Sequence, residues 1–454
     1  MSDLDAIFKA YDVRGTFPDQ IDAAGCRNIG AAFARFALDE GGAVPEILVA
    51  RDMRPSGVEL AAAFSDGVRS QGVDVVDLGL ASTDLLYFAS GSRGAPGAMF
   101  TASHNPAQYN GIKFCLAGAR PVGADSGLEQ VREMARTELP STAAAGGRRE
   151  VDLLGAFADH VRSFVDTSRF QPLKVVADTA NGMGGLVVPA VFEALPFDLE
   201  ILYQELDGRF PNHPADPLQP ENQRDLCARV REVGADIGFA FDGDADRVFV
   251  VDEQGNGISG STTTAMVAAG VLEKEPGATI LHNLICSKAV PEVVRERGGT
   301  PVRTKVGHSY IKAEMAATGA AFGGEHSAHY YFRDNFRADS GLIAAMHVLE
   351  LRCKGDAPMS VLRRPFDRYA DSGEINTQVA DPAAVIAAVA DHFAVAEPSA
   401  AQDHLDGLTV DLGDWWFNLR PSNTEPLLRL NLEARTRDEC DDHTSELLHL
   451  ITKG

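Results

Sequence analysis

Asp242, Asp244 and Asp246 alternate along the segment Asp-Gly-Asp-Ala-Asp-Arg at 242–247, and residues 101–106 read Thr-Ala-Ser-His-Asn-Pro. The first segment places three carboxylates on a short stretch; the second offers one exposed hydroxyl, Ser103, in a turn. Alternate residues of an extended segment point the same way, so the carboxylates can converge on one ion. Without a cation they would repel. A hard divalent cation beside a hydroxyl that can carry phosphate outlines a phosphoryl-transfer site. A solvated acidic loop is the plainer reading. Against it, the segment lies between two apolar runs, Ile237–Phe241 and Val248–Val251, which predict a hairpin with a tight tip.

Two other readings compete for the same carboxylates. Counted from Asp242, Glu253 falls at the twelfth place of a calcium-binding EF-hand loop, but the sixth place must be glycine and is Arg247. The flanks are strand-like rather than helical, so that reading fails. An aspartyl phosphatase, with Asp242 as nucleophile and Asp244 as acid, stays open. Around Ser103, Gly97–Phe100 predicts a short buried strand, and Pro106 restrains Asn105. Asn110-Gly111 predicts a second turn, and Lys113 follows on a strand-like stretch. Ser103 is then displayed on a rigid loop with His104 and Lys113 near it in sequence. Taken alone, a Ser/Asn turn without chemistry accounts for this segment equally well.

Two further segments carry convergent polar groups. In Gly-Glu-His-Ser-Ala-His, 324–329, the residues Glu325, Ser327 and His329 share one face if the chain is extended, a donor and acceptor set suited to vicinal sugar hydroxyls. A surface loop explains the glycines but not that spacing. Arg420-Pro-Ser422-Asn423-Thr424-Glu-Pro offers a guanidinium, two hydroxyls and an amide in a turn, suited to phosphate oxygens, and Arg429 adds a second cation.

The elements that must position these groups repeat. Ile47–Asp52, Val175–Asp178 and Ile280–Asn283 are each an apolar run ending in polar residues and followed by a helical pattern, which predicts three copies of an α/β unit. Ser141–Arg149, Gly255–Gly257 and Pro365–Gly373 are candidate linkers. The last of them precedes a shorter α+β unit. Pro211, Pro214, Pro217 and Pro220 recur every third residue and predict a rigid surface loop leading to a helix near Gln223.

Composition narrows the function. With 454 residues, the chain exceeds one core. Its formal net charge of −24 argues against nucleic acid and anionic membranes. No apolar run reaches the length of a membrane span. The acidic N-terminus is unlike a signal peptide, and six scattered cysteines fit reduced thiols, so a cytoplasmic location is expected.

Four ordered motifs, with Tyr11-Asp-Val-Arg-Gly15 ahead of them, resemble the α-D-phosphohexomutase superfamily, most closely its bacterial phosphomannomutase/phosphoglucomutase branch. The resemblance spans residues from about 8 to 430. It implies four domains, 1–148, 149–256, 257–366 and 367–454: three similar α/β domains with mixed sheets and a smaller α+β domain, each giving one loop to a central cleft. It implies phosphate transfer between O6 and O1 of a hexose, mannose and also glucose, through a hexose 1,6-bisphosphate. Ser103 would carry phosphate and, with Asp242, Asp244 and Asp246, hold one Mg²⁺. Lys113 would act at the reacting hydroxyl, supported by Arg14, His104 and His308. Arg247 would hold the phosphoserine or the substrate phosphate, Glu325, Ser327 and His329 the sugar hydroxyls, and Arg420, Ser422, Asn423, Thr424 and Arg429 the distal phosphate. The last domain would be a hinged lid. The implied partners are small sugar phosphates, and the implied assembly a monomer or homodimer. Phosphoglucosamine mutase is the near alternative; its serine loop often begins Ser-Ala-Ser. His326 and Ala328 depart from the Met or Gln, and Gly, of many relatives, which bears on sugar preference.

Overall fold

The computed structural model describes residues 4–41, 44–421 and 427–453. Contacts divide the chain into two units, Met1–Ser259 with Ser327–Leu362, and Gly260–His326 with Arg363–Gly454. The backbone therefore passes from one to the other three times.

The first unit holds two sheets. One contains β1 (Val13–Thr16), β2 (Glu46–Arg51), β3 (Asp74–Leu80), β4 (Gly97–Phe100), β5 (Tyr109–Leu116), β6 (Arg120–Pro121) and β7 (Arg148–Glu150), in the order β1-β5-β4-β2-β3-β7 with β6 on β5. The strands β4, β2, β3 and β7 are parallel and β5 is antiparallel, so the sheet is mixed. The apolar centre of β2 is wholly buried, as a strand covered on both faces requires. Phe33, Phe64, Phe100 and Phe114 interlock in its core, Phe33 and Phe114 with ring centroids 4.6 Å apart. The other sheet contains β8 (Leu173–Asp178), β9 (Phe197–Leu202), β10 (Ile237–Phe241), β11 (Val248–Asp252) and β12 (Gly257–Ile258), ordered β12-β11-β10-β8-β9. The helix Gly341–Arg352 also belongs here; Ser340 caps it, accepting from Ile343 N at 3.2 Å.

The expected hairpin at 237–251 forms, β10 pairing antiparallel with β11. Gly255–Gly257 is not a linker. It closes a second hairpin, since β12 pairs with β11 and the Asp252 carboxylate accepts from Gln254 N and Asn256 N. Nor is Asn110-Gly111 a turn. Both residues lie inside β5, opposite Gly15 and Arg14. The glycine is there because a Cβ would sit 2.2 Å from Val13 O: it permits close backbone approach.

In the second unit, β13 (Thr279–Asn283), β14 (Thr300–Thr304) and β15 (Phe322–Gly324) run parallel in the order β14-β13-β15. A separate antiparallel sheet is built from the strands Ala370–Gln378, Leu427–Ala434, Trp416–Pro421, Leu408–Asp411 and Ala401–Asp403, in that spatial order. Its core includes Leu408, Val410, Phe417, Leu419 and Leu430, under the helices Pro382–Ala396 and Arg437–Lys453. The three expected strand-to-helix repeats are β2 to Ser56–Ser70, β8 to Gly184–Phe192 and β13 to Ala289–Glu296. All six cysteines are free thiols. Among the described residues no helix is long and apolar enough to cross a membrane.

Candidate active site

Ser103 stands between β4 and β5 in the left-handed region, φ 49°, and is buried, 6% exposed, rather than displayed to solvent. Its amide donates to Thr101 Oγ1 at 2.9 Å, and its hydroxyl donates to Asp242 Oδ2 at 2.8 Å. Arg14 donates to Asn105 Oδ1 in the same loop at 2.5 Å and pairs with Asp12.

The three aspartates do converge, but not by strand alternation. The tip at 242–247 is a turn: Ala245 takes φ 61° and its amide donates to Asp242 O at 3.1 Å. Extended backbone would separate alternate side chains by two residues of rise; the bend gathers them, with one oxygen from each lying within 4.8 Å of the others. Lys113 Nζ donates to Asp244 Oδ2 at 2.8 Å and to Asp246 Oδ2 at 2.7 Å, and Thr83 Oγ1 donates to Asp244 Oδ2 at 2.6 Å. Arg247 donates to Asp242 Oδ2 from Nε at 3.0 Å and Nη2 at 2.8 Å; Nη2 also reaches His104 Nδ1 at 2.7 Å and Ser103 Oγ at 3.2 Å. The serine and aspartate loops touch, for a Cβ on Gly243 would stand 2.4 Å from Ser103 O.

Burial sets the electrostatics of this cluster. It pushes Asp242 up, against the pull of Arg247. It acts the same way on Asp244, yet the Lys113 charge and hydrogen bond, with Thr83, hold that carboxyl well below the usual range. Burial and the charges of Arg247 and Arg14 keep His104 neutral. Burial opposes the charge on Lys113, but Asp244 and Asp246 overcome it and keep the amine cationic. Asp244 Oδ1 and Asp246 Oδ1 remain buried with no hydrogen-bond partner among the described residues. Two such oxygens in an all-carboxylate set fit a hard divalent cation, which would supply the missing partner.

His329 is drawn toward this cluster, its Nε2 4.0 Å from Asp246 Oδ1, and its Nδ1 lies 3.0 Å from Ser327 Oγ. Glu325, Ser327 and His329 do not share the face of an extended strand, because 325–329 is a turn with Ala328 at φ 64°. Glu325 is instead held within the second unit, accepting from Asn283 Nδ2 at 3.2 Å and Gly307 N at 3.0 Å. In the same unit Arg420 and Arg429 stand directly opposite on paired strands. Like charges so placed repel, and Glu374 on the neighbouring strand answers both, at 2.8 Å and 3.2 Å. Arg420 Nε and Arg429 Nε are buried with no partner among the described residues. Ser422, Asn423 and Thr424 lie outside the described residues, as does the side chain of His308, whose backbone opens the helix His308–Thr318.

Four family models match the chain in order: phosphoglucomutase/phosphomannomutase alpha/beta/alpha domain I at residues 5–139, domain II at 155–256, domain III at 259–369 and the C-terminal domain at 374–449. The chain belongs to the phosphoglucomutase/phosphomannomutase family. A phosphomannomutase of Salmonella montevideo is 40% identical over 455 residues, covering 98% of each chain. A protein of Xanthomonas campestris named as phosphohexose mutases is 40% identical over 434 residues, covering 94% of this chain and 95% of its own. A crystal structure of a family member from Burkholderia thailandensis superposes with a TM-score of 0.89 at 32% identity, over 100% of this chain and 99% of that one.

Several groups around the candidate residues escape a reading of motifs. In the first unit Thr83 donates to Asp244 and Arg54 holds the serine loop; in the second Asn283 donates to Glu325. Asn283 carried a signal, a polar residue ending an apolar strand; so did Asp52, two residues before Arg54. Thr83 carried none, because its partner is 161 residues away.

Proposed function

We propose that this chain is a phosphohexomutase that interconverts mannose 6-phosphate and mannose 1-phosphate, and the glucose phosphates as well, through phosphorylated Ser103 and a hexose 1,6-bisphosphate that also serves as activator. The observation that carries this reading is the buried Ser103 hydroxyl, 2.8 Å from Asp242 and 3.2 Å from the Arg247 guanidinium, beside two carboxylate oxygens with no partner. The names of relatives 40% identical over nearly the whole chain support it.

In this reading Asp242, Asp244, Asp246 and the Ser103 phosphoryl group would hold Mg²⁺, which when bound neutralises charge on the transferring group. Arg247 anchors the phosphoserine through the Nη2 that now reaches Ser103 Oγ and His104. Lys113 is already cationic, so it stabilises charge on the reacting oxygen and does not remove its proton. His104 accepts from Arg247 at Nδ1, which leaves Nε2 to donate. Glu325, Ser327 and His329 take sugar hydroxyls. Arg420 and Arg429, with Ser422, Asn423 and Thr424, take the phosphate that is not reacting, and Arg14 and His308 support the site. In each half-reaction the P–O bond to one oxygen breaks as the bond to the other forms: serine gives phosphate to O1 or O6 and recovers it from the opposite end. The substrates are small sugar phosphates; a cytoplasmic monomer or homodimer is expected.

Intact mass and isomer exchange test this. Wild-type protein should carry one phosphoryl group and interconvert the two mannose phosphates given a trace of bisphosphate, while Ser103→Ala carries none and loses turnover by orders of magnitude. Net phosphate release with near-normal rates in Ser103→Ala would identify an aspartyl phosphatase instead. Higher turnover on glucosamine 1-phosphate would reassign the sugar.

A further inference from the structure

Arg54 is the largest of the side chains that are withdrawn from solvent altogether, 0% exposed. Burying a guanidinium is costly unless its donors are used. All five N–H groups of Arg54 are used. Nε donates to Asp52 Oδ2 at 3.1 Å, Nη1 to Pro106 O at 2.8 Å and Tyr109 O at 2.9 Å, and Nη2 to Ser103 O at 2.9 Å and Asn105 O at 2.6 Å. Four of the five thus end on backbone carbonyls between Ser103 and Tyr109, three on the loop that carries Ser103 and one where β5 begins. The Phe210 ring closes the other side, its centroid 5.2 Å from the guanidinium carbon. A side chain that served only to fill space would not spend four of its five donors on one short segment.

That loop needs holding. Ser103 sits at φ 49°, a region that disfavours a residue with a Cβ, so the conformation persists only where its surroundings over-determine it. Arg54 fixes the carbonyl of Ser103 itself and of the residues that follow, and so sets where Oγ points relative to Asp242. We infer that Arg54 is a positioning residue for phosphoryl transfer. It touches no reacting atom; it locks the serine loop so that the phosphoryl group on Ser103 lies in line with the incoming sugar oxygen. The inference rests on the mutase reading. Its consequence is separable from binding: a serine displaced by about 1 Å costs on the order of 100-fold in the chemical step and leaves the groups that grip the sugar and the distal phosphate untouched. Lysine cannot replace this residue, having three donors on one point where five in a planar fork are required.

Arg54→Lys and Asp52→Asn in the full chain test this, with the wild type beside them. Arg54→Lys should lower kcat on the order of 100-fold, with KM for the hexose phosphate held within about threefold and a cooperative thermal transition retained. Asp52→Asn loosens only the carboxylate end of the fork and should give a smaller loss of the same kind. In both, the ³¹P resonance of the phosphoserine should shift or broaden, which mere support of the fold would not produce. A folded Arg54→Lys enzyme with kcat within about threefold of wild type overturns the inference. So does a parallel change in kcat and KM with the resonance unmoved. If Arg54→Lys does not fold, Asp52→Asn decides by the same two criteria. A wild-type chain with no phosphate on Ser103 under any activation brings down the mutase reading and this inference with it, an outcome that intact mass distinguishes from the other two.

Discussion

The aspartate triad was legible as chemistry, since three carboxylates between apolar strands need a cation, but the expected reason for its convergence was wrong. A turn gathers them, and Ala245 at φ 61° makes that turn. The same holds at Ala328, φ 64°, which turns the chain between Ser327 and His329. Arg54 was illegible because its partners are carbonyl groups 49–55 residues away, and carbonyls have no sequence signature. Contact between the serine and aspartate loops gives a prediction at this scale. Gly243→Ala would place a methyl group 2.4 Å from Ser103 O, so one loop must shift. Steady-state kinetics should show kcat lower by roughly 10- to 100-fold, while titration with Mg²⁺ shows the metal still bound, because all three carboxylates remain.

The strands were read well wherever they are covered on both faces, since continuous apolar runs such as Ile237–Phe241 and Ile47–Ala50 have few other uses. Two errors fell on glycines. Asn110-Gly111 has the composition of a turn yet sits inside β5, because close backbone approach selects glycine as a turn does; Gly255–Gly257 has the composition of a linker yet turns a hairpin, with Gly255 at φ 74°. Strand β13 gives a second prediction. His282 is buried in it, and burial, with the charges of Arg303 and Arg295, pushes its pKa down to about 4 from 6.5. The folded-state value lies below the unfolded one, so between those pH values only the unfolded chain takes up the proton. Stability is therefore full above pH 6.5 and falls as pH drops toward 4, by about 2 kcal/mol between pH 7 and pH 5. Both tryptophans, Trp415 and Trp416, lie in the same unit as His282, so their fluorescence in urea follows the unfolding of that unit. His282→Gln should flatten this part of the pH profile; an unchanged slope would show that another group sets it.

For the molecule as a whole, a net charge of −24 argues against nucleic acid and leaves an anionic substrate to be reconciled. The candidate cations answer that charge only in part, since each faces a carboxylate of its own unit: in the first, Arg14 with Asp12, Lys113 with Asp244 and Asp246, and Arg247 with Asp242; in the second, Arg420 and Arg429 with Glu374. A phosphate bound as proposed must share Glu374 with Arg420 and Arg429, whose Nε groups, like that of Arg14, have no partner among the described residues. Arg420→Ala should raise KM and lower kcat together, and release bisphosphate intermediate into solution during turnover; an unchanged KM with no extra release would remove this residue from the phosphate grip. The three passages of the backbone between units have a further consequence, for synthesis. Ser103, all three aspartates and Arg247 leave the ribosome before residue 260, but the helix Gly341–Arg352 does not. That helix supplies the backing of the site: Gly341 lies so close to Arg247 that a Cβ would stand 2.7 Å from its carbonyl carbon, and Ser340 donates to the buried Asp84 carboxylate at 2.7 Å. A growing chain thus carries Ser103, the three aspartates and Arg247 for about eighty residues of elongation before it can hold them in place, and the first unit, although it begins at the N-terminus, cannot finish folding as the first thing made.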